Sequence, residues 1–254
     1  EEHEDAEVAK GAWYAENSML NVLRPRHQFV HDLTDFARRN HHNIDDPYFM
    51  AEQRAKGKER VLDELLGSAG FLERIARADT TTVVVESNHD QALEVWLRNP
   101  AGRTDPANAR HWHEWNAHIH AEIEEGNAPF VYRHVVRGAL TSYAKERTIF
   151  LREDESYEIC ARGRNPGIEC GMHGHRGANG ARGSANGMRS FGKRTNRGHG
   201  HSPNILDGDW TAGVMCKLAL RYAKGPSSWA HATIVTYPNS KRCMIVQRGK
   251  EWRA

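Results

Sequence analysis

One segment of this 254-residue chain constrains the fold more than any other, a run of β-branched residues from Thr80 to Val85. Such residues favour strands, so the run predicts a buried strand. The polar cluster Ser87-Asn88-His89-Asp90 follows directly, and a helical pattern begins near Gln91. In α/β sheets ligands bind at the carboxyl ends of strands, so we expect a functional site at this cluster.

The remaining pattern alternates helices and strands early and places strands in series late. Helices are predicted over 5–23, 33–39, 105–125 and 129–145, with two more within 47–77 that meet near Gly67 or Gly70. Further strands are predicted at 147–151, 156–160, 168–172, 213–222, 229–237 and 242–248. This order predicts an α/β or α+β fold, and the length suits a single domain over residues 1–254.

Composition excludes several classes of protein. Hydrophobic residues make up 39% and charged residues 27%, which is typical of globular domains. No run of 18 apolar residues occurs, so we expect no membrane span. Four cysteines without a Cys-x-x-Cys pair favour reduced thiols and a cytoplasmic protein. The first residue is Glu1 rather than Met, so we expect the N-terminus to be truncated.

A basic segment occupies residues 162–197. It contains eight Arg and Lys residues and a single acidic residue, Glu169. Two interpretations stand: a solvated basic loop, or a surface that faces phosphate groups. Within it, Arg176 and Arg182 are candidate substrate contacts.

Four polar clusters follow predicted strands or turns. Asp32 comes after the apolar pair Phe29-Val30, and Asn88 ends the β-branched run. His173-Gly174-His175 and Gly198-His199-Gly200-His201-Ser202-Pro203 complete the set. Asp and Asn at such points often cap helices. Carboxylate, amide and imidazole groups also bind divalent metals, and four clusters in order favour a metal site.

The order of these clusters resembles the calcineurin-like metallophosphoesterase family. Its signature runs Asp-x-His, Gly-Asp-x-x-Asp, Gly-Asn-His-(Asp/Glu), His and Gly-His-x-His, and the match covers residues 31–203. The resemblance implies a four-layer αββα sandwich of two mixed sheets flanked by helices, with the N-terminal strand missing. It also implies hydrolysis of phosphate esters by hydroxide held between two divalent metal ions.

The resemblance assigns roles position by position. Asp32 would bridge the metals, Asn88, His173 and His199 would bind one, and His201 would bind the other. His89 would act as general acid or as a transition-state contact, oriented by Asp90. Oxygen and nitrogen ligands without thiolate favour manganese, iron or zinc over magnesium or calcium, and the resemblance implies manganese.

The sequence departs from the family in three places. His31 and Ser87 stand where the family has Gly. The first motif is reduced to Glu1-Glu2-His3, in which His3 is a candidate ligand and a solvated charged end is the alternative.

Within the family, the residues His31-Asp32-Leu33-Thr34-Asp35-Phe36 and Val84–Ala92 resemble phage-encoded, DNA-degrading members. This predicts a nuclease acting on DNA in the host cytoplasm, with Asn40 and His41 lining the substrate groove. The alternatives are a phosphatase or nucleotide phosphoesterase of the same family and a catalytically dead scaffold. The histidines of predicted helix 105–125 fit an ordinary amphipathic helix, whose tryptophans offer a surface for homo-oligomer formation.

Overall fold

The computed structural model describes residues 4–163, 166–220 and 225–253, and the chain divides into two compact units. Unit 1 comprises Glu1–His31, Arg77–Val85 and Leu151–Ala254, and unit 2 comprises Asp32–Ala76 and Glu86–Phe150. The chain twice enters unit 2 directly after a strand. Because the units are built from interleaved segments, a single domain over residues 1–254 stays a prediction.

Parallel strands β1 (His27–His31) and β2 (Thr81–Val85) pair in unit 1, with His31 opposite Val85. The predicted β-branched strand is confirmed. Strand β3 (Thr148–Leu151) ends in unit 1 at Leu151, which packs with Val83 and Val85. The last residues of β1 and β2 lie side by side, so the segments that begin at Asp32 and Glu86 leave from one edge of the sheet.

A mixed sheet forms the second half of unit 1. Its strands are β4 (Glu158–Ile159), β5 (Ile168–Glu169), β6 (Arg194–Arg197), β7 (Asn204–Leu206) and β8 (Asp209–Thr211), in the order β4-β5-β6-β8-β7. β6 is parallel to both β5 and β8. Strands β9 (Ala232–Thr236) and β10 (Arg242–Val246) form an antiparallel pair. The mixed α/β class is confirmed.

Two strand predictions for unit 1 need correction. No strand occurs at 213–220, the described part of the predicted strand 213–222; β8 precedes it instead. No strand was predicted at 194–197, which belongs to the basic segment 162–197. Residues 194–197 form a strand because Arg197 is buried and pairs with Asp209 at 2.9 Å, while Thr195 Oγ1 also contacts that carboxylate.

The predicted N-terminal helix 5–23 is broken in two. Helix α1 (Ala6–Ala9) continues as a π-helical turn to Tyr14, and α2 (Met19–Leu23) starts afresh. Ser18 lies between them in extended conformation, and its hydroxyl accepts a hydrogen bond from the Asn21 amide. This N-cap starts a new helix at a point where the apolar spacing alone suggests continuity.

Unit 2 is helical. It contains α3 (Pro47–Ala55), α4 (Val61–Ile75), α5 (Ala92–Arg98), α6 (Ala109–Glu124), α7 (Val131–Gly138) and α8 (Ser142–Lys145). Its buried core includes Leu65, Leu72, Leu93, Trp96 and Val131. None of the helices in the described chain is both long and apolar enough to cross a membrane.

Three helix boundaries in unit 2 differ from the prediction. The junction in 47–77 lies at Gly57, which has a left-handed φ of 66°, whereas Gly67 and Gly70 are inside α4. Residues 33–39 contain only a 3-10 turn at Ala37–Arg39, because Phe36 is left-handed. The segment 129–145 is two helices, since Thr141 caps α8.

Candidate functional site

Asp32 is the first residue of unit 2 and directly follows β1. Its backbone is left-handed, with φ of 50°. No helix begins at residues 33–36, all of which are described, so the helix-cap explanation for Asp32 is wrong. Non-glycine residues in this conformation concentrate at functional sites, where the surrounding structure compensates their cost.

Asn88 lies three residues after the end of β2. Its side-chain oxygen is buried and has no hydrogen-bond partner among the described residues. Helix α5 begins at Ala92 without a side-chain cap, so Asn88 does not serve as one. Leaving a buried acceptor unsatisfied costs about 1–3 kcal/mol. An amide oxygen in this state suits a hard or borderline divalent cation, and the residue fits its predicted role as a ligand.

His89 is held by Asp35, which was not among the predicted site residues. The Nδ1 atom of His89 lies 2.8 Å from Oδ1 of Asp35. Burial alone would lower the pKa of His89, but the Asp35 hydrogen bond and the charges of Asp32, Asp35 and Asp90 raise it to about 9. The spacing Asp32-x-x-Asp35 was visible in the sequence, yet only the fold shows which carboxylate reaches the ring.

Asp90 was predicted to orient His89, and the structure gives it different partners. Its carboxylate accepts hydrogen bonds from the Ser87 amide at 3.0 Å, the Ser87 hydroxyl at 2.9 Å and the Thr34 amide at 3.2 Å. It is 1% exposed, and burial, with a further contribution from Asp32, raises its pKa to about 7. Asp90 therefore anchors the loop that carries Asn88 and His89.

Thr34 extends this anchor into the core of unit 2. Its hydroxyl lies 2.5 Å from the Ser68 hydroxyl and 2.8 Å from the Tyr132 hydroxyl. All three residues are buried. The loops after β1 and β2 are thus fixed by one buried polar network, which keeps Asp32, Asp35 and His89 in a defined arrangement.

Unit 1 contains a group of imidazole rings. The ring centre of His173 lies 5.5 Å from that of His31, 5.4 Å from that of His175 and 5.2 Å from that of His199. Nδ1 of His31 and Nδ1 of His173 are 3.4 Å apart. The structure thus brings predicted residues His173 and His199 together and adds His31 and His175, which were not predicted as ligands.

Tight packing shapes the loop that carries His199 and His201. Both histidines are left-handed, with φ of 65° and 53°. A Cβ at Gly198 would lie 2.9 Å from Cβ of His31, and one at Gly200 would lie 2.6 Å from Cγ2 of Thr211. Glycine is therefore needed at both positions, because it lets the loop backbone lie close to His31 and Thr211. The ring of His201 packs perpendicular to Trp229, with centres 4.4 Å apart.

The ligand set does not form a ready coordination sphere. Among the described residues, no three His, Cys, Asp or Glu side chains are already positioned to hold a metal ion. The oxygen donors Asp32 and Asn88 belong to unit 2, and the imidazoles belong to unit 1. His3 lies outside the described residues, so the structure says nothing about that candidate.

The predicted substrate contacts Asn40 and His41 behave differently from each other. Asn40 is 9% exposed, and its side-chain oxygen accepts a hydrogen bond from the His42 amide, which stabilises its own turn. His41 is exposed, and its ring lies beside that of His42 with centres 3.9 Å apart and planes tilted by 43°. Of Asn40 and His41, only His41 is exposed.

More of the positive charges in the basic segment 162–197 are paired with acidic residues than its sequence suggests. Acidic residues outside the segment pair with Arg176, Arg189, Lys193 and Arg197, namely Glu153, Asp207, Glu158 and Asp209. Arg182 is exposed and makes no ion pair in the described structure, and Arg164 lies outside it. The single acidic residue within the segment therefore understates how many of its positive charges are paired, because charges far apart in the sequence meet in the fold.

The histidines of α6 take part in ring stacking within unit 2. His118 stacks on His134 of α7 with centres 3.6 Å apart, and His111 stacks on Trp115 at 5.3 Å. These contacts agree with the interpretation of α6 as an ordinary packing helix.

The chain is similar to a phage protein. It is 41% identical over 247 residues to Protein A1 of Escherichia phage T5, an alignment that includes 95% of this chain and 43% of that protein. The chain thus spans less than half the length of this curated relative. No family model matches the chain, and no solved structure matches it.

Proposed function

We propose that this chain is a divalent-metal-dependent phosphoesterase and that its substrate is DNA. The observation that carries the proposal is the pairing, on one loop, of a buried amide oxygen at Asn88 with an imidazole at His89 that Asp35 holds at 2.8 Å. The first group suits a cation, and the second suits proton transfer. The resemblance to calcineurin-like metallophosphoesterases adds support.

Within unit 2, Asp32 and Asn88 are the proposed oxygen ligands. Within unit 1, His173, His199 and His201 are the proposed nitrogen ligands. Oxygen and nitrogen donors without thiolate suit manganese, iron or zinc, and we favour two manganese ions. When bound, such ions supply a water of lowered pKa and charge compensation for the phosphate. The left-handed backbone at Asp32, His199 and His201 supports their selection.

His89 supplies the proton in this proposal. Nδ1 of His89 faces the Asp35 carboxylate at 2.8 Å, so Nε2 is the nitrogen left to donate to the leaving oxygen. Asp90 contributes indirectly, because it fixes the loop through Ser87 and Thr34. A positioned acid of this kind contributes roughly 10²–10⁴-fold to turnover.

DNA as the substrate is supported by the phage origin of the similar protein and by the exposed residues Arg182 and His41. Four cysteines without a disulfide agree with action in the host cytoplasm. A small-molecule phosphatase is the second candidate. It is favoured by the ion pairs that engage four cations of the basic segment, since a small phosphate needs few of them.

A side-by-side assay separates these candidates. Purified protein with added Mn²⁺ is incubated with linear DNA, with bis-p-nitrophenyl phosphate and with p-nitrophenyl phosphate. A nuclease cleaves DNA and the diester, whereas a phosphatase prefers the monoester. The variant His118→Ala, far from the proposed ligands in sequence and stacked on His134, is the control and should behave like wild type. Metal bound without any hydrolysis would favour a dead scaffold.

A further inference from the structure

We propose that His175 is a metal ligand through Nδ1 and that Glu153 is the carboxylate that orients it. The inference rests on the metal requirement of the proposed function and adds one ligand to that site. All residues in the argument belong to unit 1.

The spacing of three rings is the first support. The ring centre of His175 lies 5.4 Å from that of His173 and 6.1 Å from that of His199, and the third distance is 5.2 Å. With metal–nitrogen bonds of about 2.1 Å, three imidazoles placed tetrahedrally around one ion have ring centres about 5 Å apart. The distances from His173 to His175 and to His199 are close to this value, and the distance from His175 to His199 exceeds it by about 1 Å. To bind one ion, the three rings must rotate so that one nitrogen of each points toward it.

The contact with Glu153 is the second support. Oε2 of Glu153 lies 3.1 Å from Nε2 of His175. An ionised carboxylate only accepts, so Nε2 is the donor in this contact and Nδ1 is the nitrogen that we propose to bind the metal. Histidines that bind metals typically donate their other N–H to a carboxylate in this manner. Nε of Arg176 also contacts Oε2 of Glu153, at 3.0 Å.

The backbone between the two histidines is the third support. Gly174 has a left-handed φ of 107°, and a Cβ there would lie 2.9 Å from Cδ and Nη1 of Arg197. Arg197 is itself fixed by two hydrogen bonds of 2.9 Å to Asp209. Arg197 ends β6, two residues before His199. A buried ion pair therefore packs directly against the turn that carries His173 and His175 and also fixes the approach to His199.

A cavity beside these side chains leaves room for an ion and its ligands. It has a volume of about 320 Å³, and Glu153, His173, His175 and Arg176 contribute to its lining. Asp154 lines the same cavity and serves as a matched control, because it does not contact His175.

The test is Mn²⁺ binding to metal-free protein by titration calorimetry, which needs no hydrolysis. We expect Glu153→Ala to weaken the affinity for Mn²⁺ about 10–100-fold, the usual cost of losing an orienting carboxylate. We expect His175→Ala and His175→Gln to weaken it further, while Asp154→Ala leaves it unchanged. Melting temperatures of the metal-free variants report whether the fold is intact. Two substitutions of His175 are used so that the test still stands if one of the variants does not fold.

Nitrogen NMR of histidine-labelled protein provides a second reading. Addition of Zn²⁺ should shift the Nδ1 resonance of His175 and leave its Nε2 protonated. Wild-type Mn²⁺ affinity in both His175 variants and in Glu153→Ala would overturn the inference, even if the protein still hydrolyses DNA. If the variants lose Mn²⁺ as expected but wild type hydrolyses no phosphoester, the proposed function fails and the assignment of His175 stands. If wild type binds no Mn²⁺ at all, both fail.

Discussion

Asp35 Oδ1 lies 2.8 Å from Nδ1 of His89, and both side chains are about one quarter exposed. The carboxylate therefore fixes the ring while leaving it accessible. This pairing gives His89 a partner that the neighbouring Asp90 does not provide, since Asp90 is engaged by Ser87 and Thr34.

We expect His89→Ala to lower turnover roughly 10²–10⁴-fold and to retain bound metal, because in the proposed mechanism the ring donates a proton and binds no ion. Asp35→Asn should lower turnover as well, and the double variant should be little worse than His89→Ala, since the two residues act as a unit. Steady-state kinetics with metal analysis check this. Additive losses, or loss of metal in His89→Ala, would contradict the pairing.

Asn88→Ala should weaken metal binding without weakening the metal-free fold. Its buried oxygen has no partner in the described structure, so its removal should leave the free energy of unfolding unchanged or raise it by about 1 kcal/mol. Chemical denaturation of the metal-free protein measures this quantity.

Asn108 is the matched control for Asn88. Its oxygen accepts from the Val61 amide at 2.8 Å, and its nitrogen donates to Glu59 and Asp105. Asn108→Ala should therefore lower the free energy of unfolding by about 1–3 kcal/mol, since buried partners are left unsatisfied. If both variants were destabilised alike, Asn88 would be structural.

The Arg39–Asp105 pair should make stability depend on pH. The Asp105 carboxylate lies 2.5 Å from Arg39 Nε, and both side chains are at most 10% exposed. Burial alone would raise the pKa of Asp105, but hydrogen bonds from Arg39 and Asn108 hold it below its ordinary value. The stabilisation is thus complete above the unfolded pKa of about 4 and is lost as pH falls through the lower folded pKa.

Asp105→Asn should accordingly lower the free energy of unfolding by about 3 kcal/mol at neutral pH, because it leaves a buried Arg39 without its charge partner. The difference from wild type should shrink as pH falls below about 4. The exposed pair Arg24–Asp79, with side chains 74% and 68% exposed, is the control. Asp79→Asn should change stability by less than about 1 kcal/mol. A pH-independent Asp105→Asn effect would contradict this account.

Arg182 and Lys193 should differ in their effect on DNA binding. Arg182 makes no ion pair among the described residues, whereas Lys193 lies 2.6 Å from Glu158. We expect Arg182→Ala to reduce the slope of log affinity against log salt by about one, and Lys193→Ala to change it little. Fluorescence anisotropy at several salt concentrations measures both slopes. Equal slopes in wild type, Arg182→Ala and Lys193→Ala would show that Arg182 does not contact DNA.

The sequence predicts those elements whose residue types alone indicate whether the element is buried. β2 was predicted because Val83, Val84 and Val85 are buried on both faces and leave a continuous apolar run. β6 was missed because its burial depends on Arg197 meeting Asp209, a partner that no local pattern shows. The helix break at Ser18 was missed because a single N-cap outweighs the apolar periodicity on either side of it.

The candidate site follows the same rule. The identities of Asp32, Asn88, His173 and His199 were evident from four clusters in order. The contact residues Asp35, Thr34 and Glu153 were not evident, because these contacts form only when the loops fold. Charge counting over residues 162–197 failed for the same reason, since the opposing acids come from other segments.

The measurement that tests the central proposal most directly is hydrolysis of linear DNA by metal-free protein to which Mn²⁺ is added back, with bound metal determined in parallel. The account predicts that Mn²⁺ restores cleavage in wild type, and that Asp32→Asn and His199→Ala abolish cleavage and lower bound metal, while His118→Ala does neither. Full activity of Asp32→Asn, or an inactive wild type that holds two metal ions, would contradict it.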